Sequence, residues 1–251
     1  MKGLALHAVC KSFGGVVAAE NVDIAVPPGR VTGLIGPNGA GKTTIVNLIT
    51  GMLALSSGRI TFDGRDIGAA TADEISRLGF ARTFQNIRLF KEVSVVDNLL
   101  VGFHKLQSGG LLSNVLGLPR ARAETASIRA KALDLLERFG MSRYAQYPAG
   151  SLSYGHQRRV EMMRAIAASP SVLLLDEPVA GMNDVEAWEL GSIFVDLARS
   201  GIAVLLIEHN IRFVTRLCDQ VYVLDSGRII ASGPPRQVVA DPAVIAAYLG
   251  A

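Results

Sequence analysis

Gly36-Pro37-Asn38-Gly39-Ala40-Gly41-Lys42-Thr43-Thr44 is the stretch from which the rest of the chain can be read. It matches G-x-x-x-x-G-K-[ST], follows the apolar run Val31–Ile35 and opens a helical pattern near Lys42, which is the strand, loop and helix context the motif requires. The glycines let backbone N–H groups converge on phosphate oxygens, and a helix N-terminus adds partial positive charge there. Lys42 then reaches the β- and γ-phosphates of a nucleotide, and the Thr43 hydroxyl ligates Mg²⁺. Residues 36–44 are accordingly expected to bind ATP.

Working outward, strands alternate with helices from Val31 onward. The apolar runs 171–175 and Ala203–Ile207 are each followed by a helical pattern, which predicts a parallel α/β sheet. Short strand-like runs at 4–10, 22–26 and 59–62, separated by Gly- or Pro-containing turns, occupy the first third. Between 84 and 170 the strand signal nearly vanishes. One helix there is opened by the capping box Ser94-Val95-Val96-Asp97, and another carries Ile128, Ala132, Leu135, Leu136 and Phe139 at helical spacing. The reading is one domain over 1–251, with a core built from 1–84 and 171–251 and a helical subdomain, 85–170, inserted into it. Residues 107–119, rich in Gly, Leu and Ser, read either as a packed loop or short helical hairpin or as a contact for a partner or a membrane surface.

Composition narrows the classes. A hydrophobic fraction of 49% excludes a disordered chain, and no apolar stretch reaches the roughly 20 residues that cross a bilayer, so a soluble protein is expected. The first ten residues read as a strand rather than a signal peptide. Cys10 and Cys218 belong to no CxxC, fit a reducing compartment, and are read as buried packing residues. The net charge of +3 is spread along the chain and implies no nucleic acid.

A second chemical element is Val172-Leu173-Leu174-Leu175-Asp176-Glu177-Pro178, an apolar strand ending in two carboxylates. Alone it would read as a buried strand with solvated acids at its end. Beside a phosphate loop, Asp176 suits the Mg²⁺ shell, and Glu177 suits the orientation or deprotonation of an attacking water.

Leu152-Ser153-Tyr154-Gly155-His156-Gln157, at the start of a helix with Val160, Met163 and Ala167 on one face, resembles the LSGGQ signature of the ABC ATPase family, with Tyr154 in place of the first Gly and His156 in place of Gln. The resemblance extends along the chain. It implies that Phe13 stacks on adenine, although an isolated aromatic would read as core. It further implies that Gln85 is the Q-loop glutamine contacting Mg²⁺ or water, that His209 is the switch histidine at the γ-phosphate, and that Asn183 stands where the D-loop has Asp. In that family Ser153 and Gly155 would cap ATP bound to the opposite subunit of a head-to-tail dimer. The fold it implies is a phosphate-loop ATPase core of α/β class with an N-terminal antiparallel β subdomain and an inserted α-helical subdomain. His7 and His104 match no motif and are read as structural.

Within the family the chain is similar to the ATP-binding subunits of branched-chain amino acid uptake systems, the LivG type. That likeness rests on Ala81-Arg82-Thr83-Phe84-Gln85-Asn86-Ile87-Arg88-Leu89-Phe90, the 107–119 insert, Ser153-Tyr154-Gly155-His156-Gln157-Arg158-Arg159, Glu177-Pro178-Val179-Ala180-Gly181-Met182-Asn183, Ile207-Glu208-His209-Asn210 and the ending Asp241-Pro242-Ala243-Val244-Ile245-Ala246-Ala247-Tyr248-Leu249-Gly250. It implies an ATP hydrolase on the cytoplasmic face of a bacterial inner membrane. The implied partners are a second, distinct ATPase subunit, transmembrane permease subunits and, indirectly, an extracytoplasmic solute-binding protein. Related systems that take up urea, amides or aromatic acids or export lipopolysaccharide are the alternative, and a soluble ABC ATPase acting on DNA or ribosomes is the reading from another class. In residues 86–92, Leu89 and Phe90 beside Arg88 and Lys91 read as an apolar knob for a cytoplasmic helix of a membrane subunit, or else as a seal on the helical subdomain.

Overall fold

Two kinds of apolar pattern, alternating in one sheet and continuous in the other, set the architecture. A computed structural model describes residues 3–83, 87–103 and 119–249. They form two compact units, Met1–Arg82 with Ser171–Ala251, and Thr83–Pro170. In chain order the first unit supplies β1 (Leu4–Phe13), β2 (Val16–Val26), β3 (Val31–Ile35), α1 (Lys42–Ile49), β4 (Ser57–Phe62), β5 (Arg65–Asp66), α2 (Ala72–Arg77) and β6 (Phe80–Arg82). The second supplies α3 (Val95–Gly102), α4 (Pro119–Arg138) and α5 (Tyr154–Ala167). The first then resumes with β7 (Val172–Asp176), α6 (Asp184–Arg199), β8 (Ala203–Ile207), α7 (Ile211–Leu217), β9 (Gln220–Asp225), β10 (Arg228–Gly233), α8 (Pro235–Val238) and α9 (Pro242–Leu249).

β2, β1, β4 and β5 pair antiparallel in that order. Leu4, Leu6 and Val9 of β1 and Val22, Ile24 and Val26 of β2 face one core, and each such side chain contributes about 1.5–3 kcal/mol through the area it removes from water. β1 runs three residues past the expected end at 10, through Lys11-Ser12-Phe13, and Phe13 pairs with Val16 across Gly14-Gly15. β2 likewise begins at Val16 rather than 22. Cys10 is only half-buried, and its Sγ donates to Asn21 Oδ1 at 3.5 Å, so it is not the buried packing residue expected. His7 is exposed and pairs with Thr61 across β4.

The second sheet runs β10-β9-β3-β8-β7-β6, parallel except for the β9–β10 hairpin. All residues of β3, β7 and β8 are buried, which is why they read as continuous apolar runs. The hairpin turns through Ser226 and Gly227 at φ 47° and 80°, the left-handed pair that matches strand twist. Its Gly227 N–H donates to the Ala40 carbonyl at 2.9 Å, while Glu20 N–H of β2 donates to Gly227 O at 2.8 Å. Hairpin and β2 therefore brace the loop between β3 and α1.

In the second unit Ser94 caps α3 by accepting from Asp97 N–H, but the capping box is only half formed. Asp97, one methylene shorter than Glu, takes the Ser94 hydroxyl instead of the cap amide. Ile128, Ala132, Leu135, Leu136 and Phe139 are buried, as their spacing predicts. Val160, Met163 and Ala167 of α5 are buried too, joined by the ion pair Arg158–Glu161 at 2.9 Å. Phe90 is 54% exposed and Leu89 half-buried. The segment holding them is clasped by fully buried Asn98, which accepts from Phe90 N–H and donates to the carbonyls of Phe90, Val93 and Ser94. Residues 107–118 and His104 lie outside the described residues. Among the described residues no helix is long and apolar enough to cross a membrane.

Candidate nucleotide site

The site of the first unit lies at the carboxyl ends of β3, β7 and β8, where open parallel sheets bind ligands. β3 enters the loop at Gly36, where a Cβ would sit 2.0 Å from the Leu224 carbonyl, so only glycine passes. Gly39 has open space around it but a φ of 82°, so there the backbone conformation alone calls for glycine. Gly41 is the left-handed N-cap of α1, and Lys42 is that helix's first residue. Lys42 Nζ donates to Gly36 O at 2.7 Å and to Pro37 O at 2.9 Å, folded over the loop. Burial pulls its pKa below the usual lysine value, opposed by the carboxylates of Glu177 and then Asp176. One cation thus faces both acids across an anion-binding loop.

Asp176 ends β7, largely buried, and accepts from Arg82 Nη2 of β6 at 3.0 Å. Arg82 Nη1 donates to Asn47 Oδ1 of α1 at 2.7 Å, which ties the helix after the loop to the acidic strand end. Glu177 follows at φ 47°, a left-handed conformation costing a non-glycine residue about 1–3 kcal/mol and concentrated at functional sites. Its N–H donates to the Ile207 carbonyl of β8 at 2.9 Å. Glu177 Oε1 stands 3.7 Å from Nδ1 of His209, whose ring is mostly exposed. After Glu177 the chain turns to Asn183, which caps α6 in a full capping box with Glu186. Asn caps as well as Asp, so the departure at that position leaves the helix start intact.

Phe13 is 46% exposed at the β1–β2 turn, with Lys11 Nζ 4.9 Å from its ring centre. It is therefore a surface aromatic and not a core residue. Cys218 is buried under β3, its thiol pushed up to about 12 by burial first and by the Asp219 and Glu208 charges next, as a packing residue would be.

Ser153 belongs to the second unit. It caps α5 by accepting from His156 N–H, and its Oγ lies 3.0 Å from His156 Nδ1. The next amides, of Tyr154 and Gly155, occupy the first turn, where no intrahelical acceptor exists. His156 packs on Tyr144 with ring centres 4.7 Å apart, and Tyr154 is exposed. Gln85, expected as a catalytic and metal-contacting residue, lies outside the described residues.

The residues present fit ATP with Mg²⁺. The loop is a cradle lined by left-handed glycines, and the Thr43 hydroxyl and Asp176 carboxylate are hard oxygen donors of the kind Mg²⁺ selects. Arg82, Asn47, Glu208 and Tyr248 were not singled out from sequence; they are joined to this network only by folding, and Tyr248 of α9 brings its buried hydroxyl against the backbone of Gly36.

Comparison with known proteins places these features in a family. A family described as ABC transporter matches residues 19–180, and one described as branched-chain amino acid ATP-binding cassette transporter matches residues 228–251. The chain is 39% identical over 248 residues to the high-affinity branched-chain amino acid transport ATP-binding protein LivG of Escherichia coli, covering 98% of this chain and 97% of that protein. It is 39% identical over 239 residues to BraF of Pseudomonas aeruginosa, of the same description, covering 95% and 94% of the two chains. Among solved structures, the ADP conformation of an ATP-binding cassette of an ABC transporter superposes with a TM-score of 0.85 at 33% identity, covering 100% of both chains.

Proposed function

The chain belongs to the ABC transporter family of ATP-binding proteins, and from that premise we propose that it hydrolyses ATP at the Lys42, Asp176, Glu177 and His209 site to power uptake of branched-chain amino acids. The observation that carries the chemistry is the convergence of one lysine, two carboxylates and a histidine on a glycine-lined loop at the ends of β3, β7 and β8. The solute class rests on the descriptions of the relatives and of the family matched by the last residues.

In this reading the loop amides and Lys42 hold the β- and γ-phosphates, and Phe13 stacks on the adenine. Thr43, Asp176 and Gln85 would hold Mg²⁺, which would supply positive charge against the phosphate oxygens. Glu177 takes a proton from the water whose oxygen bonds to the γ-phosphorus as the bond to the ADP oxygen breaks, and His209 orients the phosphate. Ser153 and Gly155 cap the γ-phosphate of ATP bound to a second, similar ATPase subunit in a head-to-tail dimer. Residues 85–170 act as the helical subdomain. The other partners are transmembrane permease subunits on the cytoplasmic face of a bacterial inner membrane and, through them, an extracytoplasmic solute-binding protein. Phe90 and Leu89 supply the contact with the permease.

Phe13→Ala should raise the Kd for ATP by roughly tenfold to a hundredfold, because stacking a base on an aromatic contributes about 1–3 kcal/mol. Fluorescent-nucleotide titration reads this directly, and unchanged affinity would remove Phe13 from the adenine site.

The function itself is tested by capturing the tagged chain from solubilised membranes and by measuring ATP-driven uptake of labelled leucine, isoleucine and valine. Permease subunits should co-purify, and the labelled amino acids should enter. An exposed aromatic anchor contributes about 2 kcal/mol or more to an interface. Phe90→Ala should therefore cut uptake at least about tenfold while ATP hydrolysis by the isolated chain persists. Recovery of nucleic acid in place of permeases, or uptake of urea, amides or aromatic acids only, would overturn the assigned role or solute.

A further inference from the structure

Glu208 is a carboxylate to which the chemistry above gives no task, yet it is 1% exposed directly beneath the site. Burying a carboxylate is costly unless its oxygens are bonded. Here they are bonded from two directions. Oε1 accepts from Val179 N–H at 3.4 Å, and Oε2 accepts from His209 N–H at 3.2 Å, with the Asn210 amide also directed at the carboxylate. Burial pushes its pKa above the ordinary carboxylate value, and the amides of Val179, His209 and Asn210 and the His209 ring oppose that rise.

The two donors belong to different loops. Val179 lies two residues after Glu177, in a turn closed by Ala180 N–H donating to the Glu177 carbonyl at 3.3 Å. His209 follows Glu208 itself at the end of β8. A single side chain therefore links the backbone that carries Glu177 to the backbone that carries His209, the pair whose side chains stand 3.7 Å apart. A well-packed apolar residue of similar volume would serve stability as well or better. What the carboxylate adds is a fixed spacing between two loops.

We propose that Glu208 is a positioning residue, a clamp that accepts backbone N–H groups from both loops and holds Glu177 and His209 in register across the γ-phosphate position. The proposal rests on the reading of Glu177 and His209 as the hydrolytic pair.

Glu208→Gln in the full chain tests it. The amide has one carbonyl oxygen, so it can serve one loop while its NH₂ group faces an N–H of the other. The expected result is a KM for ATP within about twofold, an unchanged or raised melting temperature, and a kcat lower by about 10- to 100-fold, the scale at which small misplacement of reacting groups acts. Glu208→Asp keeps the charge but is one methylene too short to span both loops, so it should show the same split between kcat and KM. Wild-type kcat in either variant, a KM that rises in step with the loss, or failure of both variants to fold would overturn the clamp. Glu177→Gln run in the same assay separates the two claims. If it retains wild-type turnover, the site reading falls and the clamp with it. If it is inactive while Glu208→Gln turns over normally, the clamp alone falls.

Discussion

Lys42→Ala is expected to lower ATP turnover on the order of 10²–10³-fold, the usual cost of removing one preorganised group that stabilises developing charge. Lys42 is the cation that both Glu177 and Asp176 feel, and its ammonium rests on the carbonyls of Gly36 and Pro37 at the floor of the loop. With it gone, the loop amides, the N-terminus of α1 and bound Mg²⁺ would have to hold a polyphosphate beside Glu177 and Asp176 without the lysine charge. Affinity should therefore fall more for ATP than for ADP, since the γ-phosphate loses most. Folding should be little affected, because among the described residues Nζ bonds to the loop carbonyls of Gly36 and Pro37 and the glycines still set the loop. Phosphate release, nucleotide titration and thermal melting together check this. Near-normal hydrolysis by the variant would remove Lys42 from its assigned role.

The phosphate loop was legible in sequence because its chemistry is local. Gly36, Gly39 and Gly41 are required within six residues by close approach and left-handed backbone, so the demand is written into consecutive positions. β3, β7 and β8 were equally plain, since strands buried on both faces must be apolar throughout. The strands at the margins were not. Lys11-Ser12-Phe13 and Val16-Val17-Ala18 are half-buried or exposed, so no inward-facing apolar pattern marks them as strand, although they pair up to Phe13 and Val16. The β9–β10 hairpin went unread despite the turn signal Ser226-Gly227 between apolar runs. Arg158 and Glu161, charged residues at i,i+3 spacing, are buried as an ion pair, and nothing in their spacing distinguishes that from a pair in solvent. The Arg82–Asp176 contact joins residues 94 positions apart, and Glu208 reaches Val179 over 29. Periodicity and motif reading carry no information about such pairs. They exist because parallel strands bring distant chain ends to one edge of the sheet.

Glu177→Gln should produce the most informative large effect, because it separates binding from chemistry at one side chain. Glutamine keeps the shape of Glu177, its left-handed backbone at φ 47° and the N–H bond to Ile207, but removes the negative charge and the basicity. General-base contributions are on the order of 10²–10⁴-fold, so turnover should fall by that factor. ATP affinity should hold or improve, since a negative charge facing the γ-phosphate is removed while Lys42 stays. If ATP is capped by Ser153 and Gly155 of a second subunit, slowed hydrolysis should trap that assembly. Size-exclusion chromatography with Mg·ATP should then show a dimer that the unmodified chain forms only fleetingly. The contrast with Lys42→Ala is diagnostic, because that variant should neither turn over nor dimerise, whereas Glu177→Gln should dimerise without turning over. Wild-type hydrolysis by Glu177→Gln would show that the strained carboxylate beside His209 is not the catalytic base, and loss of ATP binding would show that its role lies in holding the nucleotide.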